Sequence, residues 1–152
     1  TSCNWKSINM TDREELLKAR VQEMCNLIER GKFKQTRKYL LPQWQSKPEQ
    51  EYKGDLSSIP EIKGIFDYYK IKSIKFRDNE IAEVLIDSSV KKERDMTYDY
   101  WIFVKDNWYI VDYSRTDSVS SAVLEKYKKL IKDNENKKEI REHLTSFFKI
   151  DL

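Results

Sequence analysis

One stretch of the sequence, residues 67–115, decides the fold: DYYKIKSIKFRDNEIAEVLIDSSVKKERDMTYDYWIFVKDNWYIVDYSR. Apolar and polar side chains alternate along most of it, and β-branched and aromatic residues are frequent, as is typical of strands that bury one face. Polar turns interrupt the alternation three times. We therefore predict four consecutive antiparallel strands, with helices before and after them.

The last hairpin has the clearest turn signal. Asp106 and Asn107 both tolerate positive φ, so they are the expected residues of a tight two-residue turn. Such a turn would place Val104 opposite Tyr109. The register of the last two strands follows from that pairing.

The first hairpin is predicted from its polar turn at residues 78–80. This turn sets Lys75 opposite Glu83, a favourable pair of opposite charges, and apolar residues then face each other on the other side. The apolar spacing slips by one position near Ser73, which indicates a β-bulge that bends the sheet. The charged segment 91–95 is expected to be an exposed loop between the two hairpins.

Joining the two hairpins through that loop predicts one apolar face and one mixed face. The predicted core face consists of Ile74, Phe76, Ala82, Val84, Ile86, Tyr98, Tyr100, Ile102, Val104, Tyr109, Val111 and Tyr113. The mixed face carries Leu85 and several aromatic residues among Glu83, Asp87, Asp99 and Asp112. It is too apolar to be fully exposed, so we expect the C-terminal helices, a second copy of the chain or a ligand to cover part of it. The predicted interaction residues there are Trp101, Phe103, Trp108 and Ile110. The alternative is a solvent-exposed face with a few partly exposed aromatic side chains.

The segments around the sheet have helical patterns. Residues 11–14 form a capping box, and the apolar stripe that follows predicts a long helix that ends at Gly31. A shorter helix is predicted over residues 33–41. The fold class is thus α+β, with N-terminal helices packed on a bent four-stranded antiparallel sheet, plus two C-terminal helices. We divide the chain into an N-terminal tether (1–10), the α+β domain (11–116) and a C-terminal helical extension of the same domain (117–152).

Composition excludes several classes of function. The chain has 152 residues, enough for one domain, and 39% hydrophobic with 36% charged residues is typical of a globular protein. The net charge of +3 is spread evenly, so no nucleic-acid surface is expected. The sequence has no glycine-rich phosphate loop, no metal-ligand spacing of its two cysteines and only one histidine, so neither a cofactor nor a metal is expected. No apolar run approaches the roughly 20 residues of a membrane span.

The first residues suggest a location. Thr1-Ser2-Cys3 resembles the end of a bacterial lipobox, in which small residues precede a cysteine that becomes lipidated. We therefore expect an extracytoplasmic lipoprotein that contacts the membrane only through a lipid anchor on Cys3. The alternative is a cytoplasmic protein with an unrelated cysteine. Cys25, on the apolar stripe of the first helix, is expected to be a small buried hydrophobe, with a Cys3–Cys25 disulfide as the alternative.

The order of these elements resembles a known superfamily. A long capped helix is followed by Gly-Lys-Phe and Tyr-Leu-Leu-Pro within residues 31–42, and the sheet ends with Asp-Asn-Trp-Tyr-Ile at residues 106–110. This order resembles the nuclear transport factor two-like, cystatin-like superfamily, and more narrowly its small bacterial envelope lipoproteins. The resemblance implies a cone-shaped cavity between the helices and the concave sheet face. Members of the superfamily bind small hydrophobic molecules, catalyse isomerisation or dehydration, or dimerise through the sheet.

Catalysis in such a cone would need a base and a proton donor that converge on one substrate. In the predicted register the two kinds of group fall on opposite faces, with Tyr98, Tyr100, Tyr109 and Tyr113 on one and Asp87, Asp99 and Asp112 on the other. His143, the only histidine, lies in the C-terminal extension. We assign no catalytic residue and expect a non-enzymatic binding or interaction module of the cell envelope. The alternative is an isomerase- or dehydratase-type enzyme that uses the cone cavity.

The tyrosine-rich face of the cone is the predicted ligand site. Its candidate residues are Tyr39, Trp44, Tyr69, Tyr100 and Tyr113. Alternatively, these side chains are plain core. The expected partner is a small apolar ligand or an envelope protein, with a homodimer through the sheet as a further option.

Overall fold

The computed structural model describes residues 10–45, 61–114, 122–133 and 135. Its elements are α1 (Met10–Glu29), a 3₁₀ helix (Phe33–Tyr39), α2 (Pro42–Gln45), β1 (Tyr68–Phe76), β2 (Ile81–Val90), β3 (Glu93–Val104), β4 (Asn107–Ser114) and α3 (122–133). The four strands form one open antiparallel sheet in the order β1-β2-β3-β4. The α+β class and the four consecutive strands are therefore confirmed. No helix in the described ranges is long and apolar enough to cross a bilayer.

The first hairpin has the predicted register. Lys75 pairs with Glu83, and the ladder slips between Ile71 and Ser73, where the bulge was expected. The bulge adds one residue to β1, so residues on either side of it face the same side of the sheet although an odd number of positions separates them. Ile71 and Ile74 accordingly both pack in the cluster beneath α1.

The connection between the hairpins is a tight turn and not the predicted loop. Lys91 and Lys92 both have positive φ, of 50° and 66°, and the ladder continues directly beside them with Val90 opposite Glu93. Two central residues in this conformation are the geometry of a type I′ hairpin turn. This turn fixes β3 against β2 in the phase opposite to the predicted one. The predicted core face, which joined the hairpins in the wrong phase, is therefore wrong.

The last hairpin turns one residue earlier than predicted. Lys105 and Asp106 occupy the turn, with φ of 52° and 61°, and Tyr109 pairs with Ile102 instead of Val104. The predicted register is thus wrong by two positions between the turn and Trp101, which keeps the side chains of that part on their expected sides. The β3–β4 pairing shifts a second time next to Trp101, and Val111 is not paired with a residue of β3 there.

The inner face of the sheet, defined as the face toward α1, carries the main core. Its side chains from all four strands are Tyr69, Ile71, Ile74, Phe76, Ala82, Val84, Ile86, Trp101, Phe103, Trp108 and Ile110. The predicted apolar stripe of α1 covers them, with Leu17, Val21, Met24, Cys25 and Ile28 all buried. That stripe and the buried state of Cys25, which is a free thiol, are confirmed.

The outer face is the opposite side of the sheet, and α3 packs against it. The cluster there joins Ile81, Tyr100, Ile102, Val104, Tyr109 and Val111 to Val123, Leu124, Tyr127, Leu130 and Ile131 of the helix. The rings of Tyr100 and Tyr127 lie 5.5 Å apart, and Lys128 forms an ion pair with Asp78 at 3.3 Å. The first predicted C-terminal helix is confirmed over residues 122–133, and the second lies outside the described residues. Both faces of the sheet are therefore covered by helices.

Candidate functional site

The inner face holds one carboxyl group in the middle of the core. Asp99 lies on β3 opposite Val84, two residues from Trp101, so both side chains point toward α1. Only 4% of Asp99 is exposed, and its Oδ2 atom has no hydrogen-bond partner among the described residues. An unpaired polar atom in a protein interior costs roughly 1–3 kcal/mol and is rare in native proteins.

Burial also changes the protonation of this carboxyl group. Removal from water disfavours the charged form and raises the pKa of Asp99 to about 8. Burial is the sole cause of the shift, because no cationic side chain of the described residues stands close enough to oppose it. Asp99 is therefore mostly protonated at neutral pH, and its protonation state responds to any charged group placed beside it.

Two further titratable groups lie next to Asp99. Tyr69, on β1, is buried, and its pKa is raised by burial first and by the negative charge of Asp99 second. Burial and then the Asp99 charge likewise raise the pKa of Cys25 on α1 to about 12. Such a thiol stays protonated and is not a reactive nucleophile. The sheet and α1 thus bring a carboxyl, a phenol and a thiol together.

The indole of Trp101 extends this group toward the 3₁₀ helix. Its Nε1 atom is buried and has no acceptor in the part of the chain that the structure describes. The ring lies 6.0 Å from that of Tyr39 in an edge-to-face arrangement. Tyr39 is also buried, and its pKa is raised by burial and by the nearby Glu23 carboxylate. We define the inner polar cluster as Cys25, Tyr39, Tyr69, Asp99 and Trp101.

Acidic groups stand at one end of this cluster. The Oε1 atom of Glu29, the last residue of α1, accepts a hydrogen bond of 3.0 Å from the backbone N–H of Tyr69. The charge of Glu29 contributes to the raised pKa of Cys25, and the charge of Asp95 to that of Tyr69. Arg30, directly after α1, donates from its Nε to the Asn26 carbonyl at 3.2 Å, so a positive charge lies at the negative end of the helix dipole.

The structure divides the predicted ligand-binding residues between two sites. Tyr39 and Tyr69 belong to the inner polar cluster, whereas Trp44 and Tyr100 pack in the outer cluster with α3. Tyr113 stands opposite Asp99 in the ladder, and its side chain is outside the described part. The four predicted ligand-binding residues whose side chains the structure describes therefore lie in two separate clusters.

The predicted interaction residues lie inside the protein. Trp101, Phe103 and Trp108 are buried beneath α1, and Ile110 is partly buried beside them. The indole N–H of Trp108 donates to the Arg13 carbonyl at 2.9 Å. A partner would reach these side chains only if α1 moved away from the sheet.

The outer-face carboxylates are paired, in contrast to Asp99. Glu83 accepts from Arg77 at 2.9 Å and from the Tyr100 hydroxyl at 3.2 Å. Asp87 accepts two hydrogen bonds of 3.0 Å from Arg94, which hold the pKa of its carboxyl below the usual range. Asp87 also lies on the same face as Tyr100. The prediction that the sheet's acids all lie opposite its tyrosines is therefore wrong.

The burial of Asp99 and the position of Glu29 near Cys25 were not predicted from the sequence. The available signal was an acidic residue at an alternating core position, between Tyr98 and Tyr100 in an aromatic strand. That signal needs the phase between the hairpins, which the turn at Lys91 decides. Cys3, the predicted lipidation site, lies outside the described residues.

The inner polar cluster does not have the composition of a metal site. Within the described ranges, no group of three or more histidine, cysteine or acidic side chains could hold a metal ion. Its polar atoms without a partner among the described residues are one carboxyl oxygen of Asp99, the indole N–H of Trp101 and the hydroxyl of Tyr39, surrounded by aromatic rings. Such a set can hydrogen-bond one polar group of an otherwise apolar molecule. The chain matches no protein-family model, no curated protein and no solved structure, so the site's own residues are the basis for assigning a function.

Proposed function

We propose that the protein is a binding module that holds a small, largely apolar molecule between α1 and the inner face of the sheet. The observation that carries this proposal is the Oδ2 atom of Asp99, buried without a hydrogen-bond partner among the described residues. The unpartnered Trp101 Nε1 supports it. Burying these atoms without hydrogen-bond partners destabilises the protein, and a ligand group that hydrogen-bonds to them would offset that destabilisation.

The surroundings specify the rest of the ligand. The inner polar cluster is enclosed by aliphatic and aromatic side chains of α1 and the sheet, so most of the ligand surface must be apolar. A conical cavity, as the superfamily resemblance implies, is part of this proposal. So is attachment to the cell envelope through a lipid on Cys3. Incorporation of labelled fatty acid into the natural gene product, lost in Cys3→Ser, tests the attachment.

Two indole N–H groups provide a direct test of ligand binding. Small aromatic compounds are added to ¹⁵N-labelled protein, and the Trp101 and Trp108 indole resonances are followed. The Trp101 N–H should shift on binding because it lacks a protein acceptor, whereas the Trp108 N–H should move little because it donates to Arg13. Trp101→Phe assigns the resonance. Saturable binding that leaves the Trp101 resonance unchanged would contradict the proposed site.

A second candidate function is favoured by one observation. Asp99 and Tyr69 lie on the same face, and the pKa of Asp99, raised by burial to about 8, suits proton transfer near neutral pH. The alternative is therefore an isomerase- or dehydratase-type enzyme with Asp99 as the acid–base group. Compounds that bind are incubated with the protein and analysed by NMR. Conversion that disappears in Asp99→Asn supports the enzyme, and recovery of unchanged compound supports the binding module.

A further inference from the structure

We propose that the ligand of the inner polar cluster is an organic cation, with Asp99 as its counter-ion and the rings of Tyr69 and Trp101 against its charged group. This inference rests on the proposed binding function and specifies the chemical class of the ligand. Three properties of the described residues support it: the acidic groups beside the cluster, the engagement of Arg20 by other partners, and the aromatic residues near the Asp99 carboxyl oxygen that has no partner.

The acidic groups give the site a negative field. The Oδ2 atom of Asp99 has no hydrogen-bond partner among the described residues, and the charges of Glu29 and Asp95 act on the ionisation of its neighbours Cys25 and Tyr69, respectively. These carboxyl groups favour a positive charge.

Arg20, whose guanidinium lies over the Tyr39 ring of the cluster, is held by partners other than Asp99. Arg20 donates to the carbonyl oxygens of Trp108 at 2.9 Å and Lys38 at 3.3 Å. Its guanidinium lies 4.9 Å from the ring centre of Tyr39, on the side toward β4. The protein therefore supplies no counter-ion from this residue, and a ligand must bring its own.

Aromatic rings around one carboxylate favour an organic cation over other charged ligands. The faces of tryptophan and tyrosine attract ammonium groups, and this attraction strengthens when the cation is removed from water. The Asp99 charge acts on Tyr69, Trp101 lies two residues from Asp99 on the same face of β3, and Tyr39 packs on Trp101. An anion would be repelled by the ionised Asp99 carboxylate. A metal ion would need several convergent ligands, which the described residues do not provide.

Three compounds of one shape test the inference. Benzylamine, benzyl alcohol and benzoate differ only in carrying a positive, a neutral or a negative group, and their binding is measured by calorimetry. We expect benzylamine to bind at least about tenfold more tightly than benzyl alcohol, and benzoate not to bind. In Asp99→Asn the preference for benzylamine should disappear. Asp106→Asn, the same change at an exposed turn position, should keep it.

The pH dependence provides a second readout. Benzylamine stays protonated between about pH 5.5 and about pH 7.5, so its affinity should rise with pH as Asp99 loses its proton. Among the described titratable groups, Cys25 on α1 and Tyr69 on β1 are those on whose ionisation the Asp99 charge acts, and Glu29, Asp95 and Tyr39 lie next to these two groups in turn. The two tyrosines and the thiol stay protonated over this range, because the pKa of each is raised. The rise should be about tenfold per pH unit and should vanish in Asp99→Asn.

The outcomes separate this inference from the proposed function. Equal affinity for benzylamine and benzyl alcohol, or tightest binding of benzoate, would overturn the cation inference and leave a binding module. A preference for benzylamine that persists in Asp99→Asn would overturn it as well. If none of the three compounds bound or shifted the Trp101 indole resonance, the inference would fall together with the proposed function.

Discussion

Replacing Asp99 with asparagine is expected to stabilise the folded protein at neutral pH. Burial raises the pKa of this carboxyl to about 8, whereas in the unfolded chain it titrates near 4. Between these two values folding must take up a proton. The free energy of unfolding therefore falls by about 1.4 kcal/mol for each pH unit above about 4, and the loss is complete above the folded pKa. Asparagine has a similar shape and carries no charge in either state.

The expected magnitude follows from the same numbers. About three pH units separate the unfolded pKa from pH 7, so Asp99→Asn should be more stable than the natural protein by about 4 kcal/mol there, and by little near pH 4. Four kcal/mol is a large part of the 5–15 kcal/mol that typically stabilises a domain. Asp87 should behave oppositely: Arg94 and Tyr68 lower its pKa, so its contribution is present at neutral pH and is lost in acid.

Urea unfolding of both proteins at about one-unit steps from about pH 4 to about pH 9 measures this difference. Subtracting the two curves removes the titration of all other groups. Asp106→Asn serves as the control because Asp106 is exposed in the β3–β4 turn. A flat curve for Asp99→Asn, or one that falls with pH, would refute the conclusion that Asp99 is buried as a neutral acid.

Two backbone predictions test the parts of the fold that position the site. Gly31→Ala should destabilise the protein by roughly 2 kcal/mol in urea unfolding, because Gly31 has a φ of 73° and an added Cβ would lie 2.4 Å from the Ile62 carbonyl oxygen. Gly64 has a φ of 85°, and an added Cβ there would have no atom within 4 Å, so Gly64→Ala should lower the free energy of unfolding only through backbone strain, by about 1 kcal/mol. Equal losses of stability in the two variants would contradict the close approach of Ile62 to Gly31. Replacing Lys91-Lys92 with Asn-Gly should stabilise the β2–β3 turn by about 1 kcal/mol, and destabilisation would exclude positive φ at these positions.

Local alternation predicted much of the sheet and the covering helix. The charge pair of Lys75 with Glu83 fixed the first hairpin, and the slipped spacing near Ser73 located its bulge. The apolar stripe of α1 was identified because its period of 3–4 residues is sustained over the whole element. These features depend on residues near each other in the sequence, where side-chain spacing alone determines which face is buried.

The phase between the two hairpins could not be predicted in the same way. It depends on two consecutive lysines with positive φ, a conformation that composition does not indicate because lysine rarely adopts it. A five-residue charged segment was instead consistent with an open loop. Because a shift of one residue exchanges the two faces of every following strand, this single turn decided whether Asp99 or Tyr100 lies beneath α1.

The candidate site was harder to predict than the sheet for the same reason. Tyr69 lies in the inner polar cluster, but the acid next to it was assigned to the face opposite the predicted ligand site. Trp101 was predicted to be an exposed contact residue, and α1 covers it instead. The sequence does not indicate that this carboxyl is buried without a counter-ion, because the side chains around it are known only once the fold is known.

The titration of the Asp99 side chain itself tests the account most directly. The ¹³C resonance of its carboxyl carbon, assigned by its absence in Asp99→Asn, is followed across the pH range in which the protein stays folded. The account predicts a midpoint of about 8, because the carboxyl is buried on the inner face without a cationic partner among the described residues. A midpoint near 4, the usual value for an exposed aspartate, would contradict it.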